Sequence, residues 1–327
     1  MNDKRLSIII PFYNVEQYIA QCLDSVFNQD IPEEEYEVIC VNDGSPDHSR
    51  DIVLDYQKRH KNLILLEHEH NKKLGAARNT GLKMANGKYI WHIDSDDKIE
   101  SNCIQTMLSI CEKKQLDVLE FGFIDWYSDK TINSREWEPT RRINIMTGQE
   151  YIDAHYLPRF GLICPIWRRI YRKEFLNENN IVSPPINMGE DEPFAINVFT
   201  TAQRVAFESK DWYYHRIRRT SLVGETKQLW NAKKWYEVTM ECPYYMHQVY
   251  QQVKYSISPN IRKAIVDMIT YNVLYFDLFQ SAFSDQAKKE YWSLCRRNVI
   301  HNCFVFRYLS RKKRIAYIRN LLNIINN

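Results

Sequence analysis

Along the first 125 residues, apolar positions switch repeatedly between strand and helix spacing. Leu6–Ile10 is an unbroken apolar run rich in β-branched residues, the pattern of a strand covered on both faces of a parallel sheet. Tyr18, Ile19, Cys22, Leu23 and Val26 then fall on one face of a helix, with Asn14 as its expected N-cap. The alternation continues through a strand at Tyr36–Val41, a helix around Ser49–His60 and a strand at Leu63–Leu66. A helix over Gly75–Ala85 follows, which Gly87 is expected to close as a C-cap. Strand Tyr89–Ile93, helix Asn102–Lys114 and strand Val118–Phe123 complete the series.

Strand and helix in strict alternation imply βαβ units, and hence an α/β fold with a Rossmann-like, mostly parallel sheet flanked by helices. Such sheets bind ligands where the loops leave the carboxyl ends of the strands. The residues expected there are Pro11-Phe12-Tyr13-Asn14, Asn42-Asp43-Gly44-Ser45 and Asp94-Ser95-Asp96-Asp97. The stretch Trp126–Pro185 shows no clear period and reads as an insertion or lid. A helix after Pro193 and a strand near Arg204–Phe207 follow. From about Gln228 the pattern is helical, which places a boundary near residue 225.

Composition narrows the class. In 327 residues the hydrophobic share of 44% and the charged share of 26% are those of a folded globular chain. No apolar stretch reaches the roughly 18 residues of a membrane span, and the N-terminal apolar run meets Pro11 too soon for a signal peptide. A cytoplasmic location is expected. The eight cysteines form no Cys-x-x-Cys pair, so free buried thiols are expected. A net charge of +3 argues against a nucleic-acid binder. The tail from Arg296 to Asn327 holds eight Lys/Arg and no acid, and subtracting its +8 leaves −5 on the first 295 residues.

Four clusters carry chemistry, and each has a plain structural alternative. Asp94 and Asp96, one residue apart at a strand end, suit a hard divalent cation, or cap a helix as solvated acids. Asp43 could accept a hydrogen bond from a base or ribose, although Asn-Asp-Gly is also turn chemistry. Gly189-Glu190-Asp191-Glu192 offers a general base, or simply acids in a first helical turn. The cluster from His215 to Ser221 offers arginines to a phosphate, or forms a solvated basic loop.

Taken together and in order, these segments resemble the family 2 glycosyltransferases, inverting enzymes of the GT-A fold. The matching residues are Ser7–Asn14, Val41–Ser45, Gly75–Gly81, Ile93–Asp97, Gly189–Asp191 and Tyr214–Ser221, spread over roughly residues 5 to 222. The resemblance implies a GT-A domain over 1–225, with an α-helical region over 226–327. It implies transfer of a sugar from a nucleotide-diphosphate donor, with a uridine nucleotide expected, to a hydroxyl of a glycan or lipid-linked acceptor in surface polysaccharide assembly. Pro11, Tyr13, Asn14 and Glu16 would line the base pocket and Asp43 would contact the base. Arg78 would lie beside the nucleotide or brace its helix as a salt bridge. Asp94 would approach the ribose or the metal, and Ser95 shares its donor motif. Asp96 would bind Mn2+ or Mg2+. Asp191 would be the catalytic base, and Arg216, Arg218 and Ser221 would close over the diphosphate.

His215 stands where relatives often carry Tyr, and would be a pocket wall or a third metal ligand. A nucleotidyltransferase is the first rival, but its glycine-rich phosphate loop is replaced here by Pro11-Phe12-Tyr13-Asn14. A non-catalytic protein keeping the GT-A fold is the second. In the tail, Ile315, Ile318, Leu322 and Ile325 follow Arg311-Lys312-Lys313-Arg314 at helical spacing. That helix would lie on an anionic membrane surface, or pack on its own domain with its basic face in water.

Overall fold

The structure, a computed structural model, describes residues 4–126, 131–132, 145–156, 165–217 and 236–279. Its centre is a sheet begun by four parallel strands, β1 (Leu6–Phe12), β2 (Tyr36–Asn42), β3 (Leu63–Glu67) and β4 (Tyr89–His92), which stand in the order β3-β2-β1-β4. The sheet continues through β8 (Arg169–Arg172), β6 (Val118–Trp126), β9 (Val205–Arg216) and β5 (Lys98–Ile99), with β7 (Thr131–Ile132) against β6. Only β8, β5 and β7 run antiparallel to their neighbours.

The apolar run of β1 explains its position. Leu6, Ile8, Ile10 and Phe12 join the core on one sheet face, while Ile9 joins the core on the other. The first face is covered by α1 (Ile19–Phe27), α2 (Ser49–Arg59) and α4 (Ile104–Lys114). The second is covered by α3 (Leu74–Met84), the short α5 (Gly148–Tyr151) and α6 (Lys173–Glu178), α7 (Asp191–Thr201) and the helical residues from 236 onward. Ile19, Cys22, Leu23 and Val26 are the buried stripe of α1, as their spacing predicts.

Three expectations are corrected. Asn14 does not cap α1: its φ of 56° puts it in a left-handed turn, and the helix begins at Ile19 after a turn in which the Tyr18 and Ile19 N–H groups donate to the Val15 carbonyl. Asn tolerates that backbone because its short side chain can bond locally. Gly87 does not cap α3, whose last turn closes on Ala85. It lies against β1, where a Cβ would sit 2.3 Å from the Ser7 nitrogen, and its N–H donates to Ser7 Oγ at 2.8 Å. The segment 126–185 is no mere insertion, because it contributes β8 to the middle of the sheet, between β4 and β6.

The disguise of β8 is electrostatic. Its Arg169 and the preceding Arg168 are buried, and both meet the buried Glu120 of β6, at 2.6 and 3.3 Å. Three charges inside a short strand pair break the apolar pattern that a buried strand normally shows.

The boundary expected near residue 225 lies outside the described residues, as do Arg218, Ser221 and the basic tail. The five described cysteines are buried and free. Among the described residues no helix is long and apolar enough to cross a membrane.

Candidate functional site

Pro11 opens the site. Pairing between β1 and β4 stops at Ile9, so the missing N–H of Pro11 falls where β4 has already turned away. The two strands part there, with β2 continuing on the other side of β1. This is the switch point at which open α/β sheets form their ligand crevice.

One wall is a pair of loops laced together. The Asn14 N–H donates to Ser45 Oγ at 2.8 Å and the Glu16 N–H to Asp47 Oδ2 at 2.8 Å. In return the His48 N–H donates to Glu16 Oε2 at 3.0 Å. Tyr13, at the tip, is 47% exposed, so a flat aromatic face stands open beside this crevice. Asp43 lies behind it, almost wholly buried, with Oδ1 accepting from the Lys72 N–H at 2.8 Å and lying 2.6 Å from His68 Nδ1.

The opposite wall is acidic. Arg78 of α3 is 1% exposed, and its guanidinium reaches three carboxylates. Nη2 donates to Asp94 Oδ1 at 2.8 Å, and Nη1 to Glu190 Oε1 at 2.6 Å and to Asp191 Oδ1 at 2.9 Å. The end of β4 and the start of α7, almost a hundred residues apart in the chain, are thus brought to one cation. Asp191 Oδ2 also accepts from the Ile166 N–H at 3.3 Å. Asp94 and Asp191 keep side-chain exposures of 27% and 22%, so both still face the crevice. Burial pushes the Asp191 carboxyl above the ordinary aspartate value; Arg78 pulls it back and Asp94 adds to the rise. Burial, then Asp191, pushes Glu190 well up.

The loop from Asp94 to Asp97 is fixed from β9. Tyr213 receives the Asp94 N–H on its hydroxyl oxygen at 3.1 Å and donates that hydroxyl to Asp97 Oδ2 at 2.7 Å. Asp97 turns inward and also accepts the Arg216 N–H at 2.7 Å. Ser95 is buried, whereas Asp96 stays partly exposed. Burial and then the neighbouring Asp96 hold the Asp97 carboxyl far above its usual range, a sign of crowded negative charge.

Arg216 donates through Nε to the Asp96 carbonyl at 2.6 Å and through Nη2 to Gln21 Oε1 at 2.6 Å, with its charge 3.9 Å above the Trp126 ring. His215 stacks on Trp167 at 5.2 Å, with Nδ1 2.9 Å from Asp125 Oδ1. Burial works against its charged form, yet the Asp125 contact and Asp97 together raise its pKa.

Pro11, Tyr13, Asn14, Glu16, Asp43, Arg78, Asp94, Ser95, Asp96, Asp191 and Arg216 therefore gather at the carboxyl edge of the sheet or directly behind it. The residues that hold them were not singled out from sequence: His68, Gln21, Trp167, Tyr213 and the Ile166 N–H. Each acts across a long chain separation and carries no local pattern. Among the described residues no group of three or more His, Cys, Asp or Glu stands together as a ready cation cage.

Residues 7–179 match the family described as Glycosyl transferase family 2. The chain belongs to that family. It is 36% identical over 219 residues to the uncharacterized glycosyltransferase EpsJ of Bacillus subtilis (strain 168), a match covering 66% of this chain and 62% of EpsJ. It is 32% identical over 217 residues to a poly(ribitol-phosphate) beta-glucosyltransferase of Bacillus spizizenii, covering 66% of this chain and 32% of that one. The chain therefore spans less than two thirds of each relative's length. Among solved structures, S. aureus TarS 1-349 in complex with UDP-GlcNAc superposes with a TM-score of 0.65 at 22% identity, over 88% of this chain and 79% of TarS. The fold of this family 2 member is thus the GT-A type.

Proposed function

We propose that this chain is an inverting, divalent-metal-dependent glycosyltransferase that moves a sugar from a uridine-diphosphate donor to a hydroxyl of a glycan or lipid-linked acceptor. The observation that carries the reading is the convergence of Asp94 and Asp191 on Arg78. A donor-side acid and an acid able to take a proton thereby stand side by side on one wall of the crevice.

An acceptor hydroxyl is a poor nucleophile at neutral pH unless a base removes its proton as it attacks. Asp191 takes that proton. Its burial makes it more basic than a solvated aspartate, and Arg78 opposes that rise. The hydroxyl oxygen bonds to the anomeric carbon as the bond to the donor diphosphate breaks, and the nucleoside diphosphate leaves from the opposite face. Configuration at that carbon is inverted.

A divalent ion fits the Asp94–Asp97 loop on the chemistry of its donors. Asp94 and Asp96 offer hard carboxylate oxygens, and magnesium is commonly held by one or two carboxylates plus substrate phosphates. Burial lifts Asp97 most, and the repulsion that Asp96 adds to it is the kind a cation relieves. Mn2+ or Mg2+ held there would supply positive charge to the departing diphosphate. Arg216 sits behind the same loop and, with Arg218 and Ser221 of the following segment, is the proposed cover for the diphosphate.

One relative is named for glucosyl transfer to poly(ribitol-phosphate), so a surface polymer is the proposed acceptor class. Action at the cytoplasmic side, with the basic tail on the membrane, completes the proposal. Purified protein with Mn2+ should release UDP from a UDP-hexose or UDP-N-acetylhexosamine, and Asp96→Ala should reduce that release by about a hundredfold or more. Release that persists in Asp96→Ala, or in EDTA, would remove the metal from the mechanism. No release with any UDP-sugar would remove the proposed donor.

A further inference from the structure

His68 stands just beyond β3, and its backbone N–H donates to the Asn42 carbonyl at 2.9 Å, so the residue extends the sheet ladder by one step. Its side chain is buried between two partners. Nδ1 lies 2.6 Å from Asp43 Oδ1, and Nε2 lies 2.9 Å from Thr80 Oγ1 on α3. An ionised carboxylate can only accept, so Nδ1 carries the hydrogen and donates it to Asp43. Thr80 fixes the far nitrogen and thereby the ring plane.

Asp43 receives a second donor on the same oxygen, the Lys72 N–H at 2.8 Å. Both hydrogen bonds fall on Oδ1, which leaves Oδ2 as an acceptor held at a fixed place beside the crevice. Gly44 makes the arrangement possible: its φ is +74°, and a Cβ there would meet the His70–Asn71 backbone at 3.1 Å. The loop carrying Lys72 can therefore close against the turn that follows Asp43.

We propose that His68 is a specificity-determining positioning residue, which turns Asp43 so that its free oxygen accepts from a ring N–H of the donor base and so selects uracil over cytosine. The inference rests on the donor reading given above. Uracil presents N3–H as a donor, whereas cytosine carries an unprotonated N3 at the equivalent position, whose lone pair would face a carboxylate. A carboxylate free to rotate could turn away from that lone pair. One pinned by His68 and Lys72 cannot, and an unmatched buried acceptor costs more than a missing bond.

Two near-isosteric replacements separate this role from simple packing. Asparagine places its amide nitrogen where Nδ1 stands, and so keeps the bond to Asp43. Glutamine places its amide where Nε2 stands, and so keeps only the bond to Thr80. Calorimetric titration with UDP and with CDP in Mn2+, alongside thermal melting, reads the difference. His68→Gln should weaken UDP binding by about tenfold or more and shrink the UDP-over-CDP preference, whereas His68→Asn should stay within about threefold of the unsubstituted protein. Thr80→Val, which frees the ring but leaves His68 in place, should give a smaller loss in the same direction and decides the matter if His68→Gln does not fold. Equal UDP and CDP affinities in the unsubstituted protein would overturn the inference. So would His68→Gln or Thr80→Val proteins that melt normally and keep the full UDP preference. If the unsubstituted protein binds UDP and these variants match it, only this inference falls; if it binds no nucleoside diphosphate, the donor reading falls first.

Discussion

Arg78 shows how one residue can brace the fold and gather the proposed catalytic acids at once. A buried guanidinium among three carboxylates cannot be removed without leaving like charges facing one another in a poorly solvated place. Arg78→Met should therefore destabilise the protein by about 3–5 kcal/mol in urea unfolding. A loss under about 1 kcal/mol would mean that the carboxylates find other partners. A second prediction concerns pH. As the proposed base, Asp191 can act only when deprotonated, so activity should fall as pH drops through its pKa. Burial raises that pKa above the ordinary aspartate value, with Asp94 adding to it and Arg78 opposing. The acid limb of kcat should therefore have its midpoint above about pH 4, where a solvated aspartate would place it. A profile flat down to pH 4, or activity retained in Asp191→Asn, would deny Asp191 the role. At this scale the sequence was readable where a residue's place depends on its neighbours in the chain. Asp43 and Asp94 follow apolar strands, and that alone placed them at the rim. Asn14 and Gly87 were misread because their turn chemistry fits several backbones, and only the contact with Ser45 or Ser7 decides which one forms. Tyr213 had no signal, since its partners Asp94 and Asp97 lie more than a hundred residues away.

The element that connects these residues is α3. Thr80 reaches back to His68, and through that ring to Asp43, Arg78 reaches across to the acids, and Asn79 exchanges two hydrogen bonds with the Ser183 backbone, at 2.7 and 2.9 Å. Its first turn rests on the segment leading to Asp191: the Leu74 N–H donates to Asn187 Oδ1 at 3.0 Å and the Gly75 N–H to the Ile186 carbonyl at 3.2 Å. Gly75 is required by that approach, because a Cβ there would lie 1.8 Å from the Pro184 carbonyl oxygen. Gly75→Ala should cost about 1–3 kcal/mol as the helix and the loop are forced apart. Because the same loop delivers Asp191, kcat should fall, while UDP affinity, which the proposed reading sets through Thr80 and His68, should change little. A loss of UDP affinity with kcat intact would mean that the helix shifts at the wrong end. The βα alternation made α3 readable as a helix. Its bracing role was not, because the faces of a short amphipathic helix show what is buried and not what it is buried against. Strand β8 failed for the opposite reason, since its placement rests on the pairing of Arg168 and Arg169 with Glu120 rather than on apolar period.

At the scale of the whole molecule the two sheet faces are covered differently. One core is closed by α1, α2 and α4, all within the segment whose pattern is regular. The other is closed by α3 and α7 together with helical residues beyond 236: Met240, Met246, Ile261, Ile265 and Ile269 share a cluster with Ile9, Ile90, Phe194 and Val198. Polar contacts repeat the connection. Asn272 donates to Glu192 Oε2 at 2.7 Å, the residue next to Asp191, and Lys73 pairs with Glu237 and Glu241, each at 3.2 Å. Gly189, with φ +77°, leaves room for the Cys242 sulfur, which would lie 2.8 Å from any Cβ at that position. The helical region thus packs directly behind the turn that carries the proposed base. A chain ending at residue 225 should expose the apolar side of α7 and lose the contacts behind Glu192. It should give little soluble protein, bind a hydrophobic dye, and melt without a sharp transition. If that fragment instead melts cooperatively near the full chain's temperature and binds UDP with equal affinity, the first 225 residues are a self-sufficient domain, and the packing of the helices adds little to its stability or to its nucleotide binding.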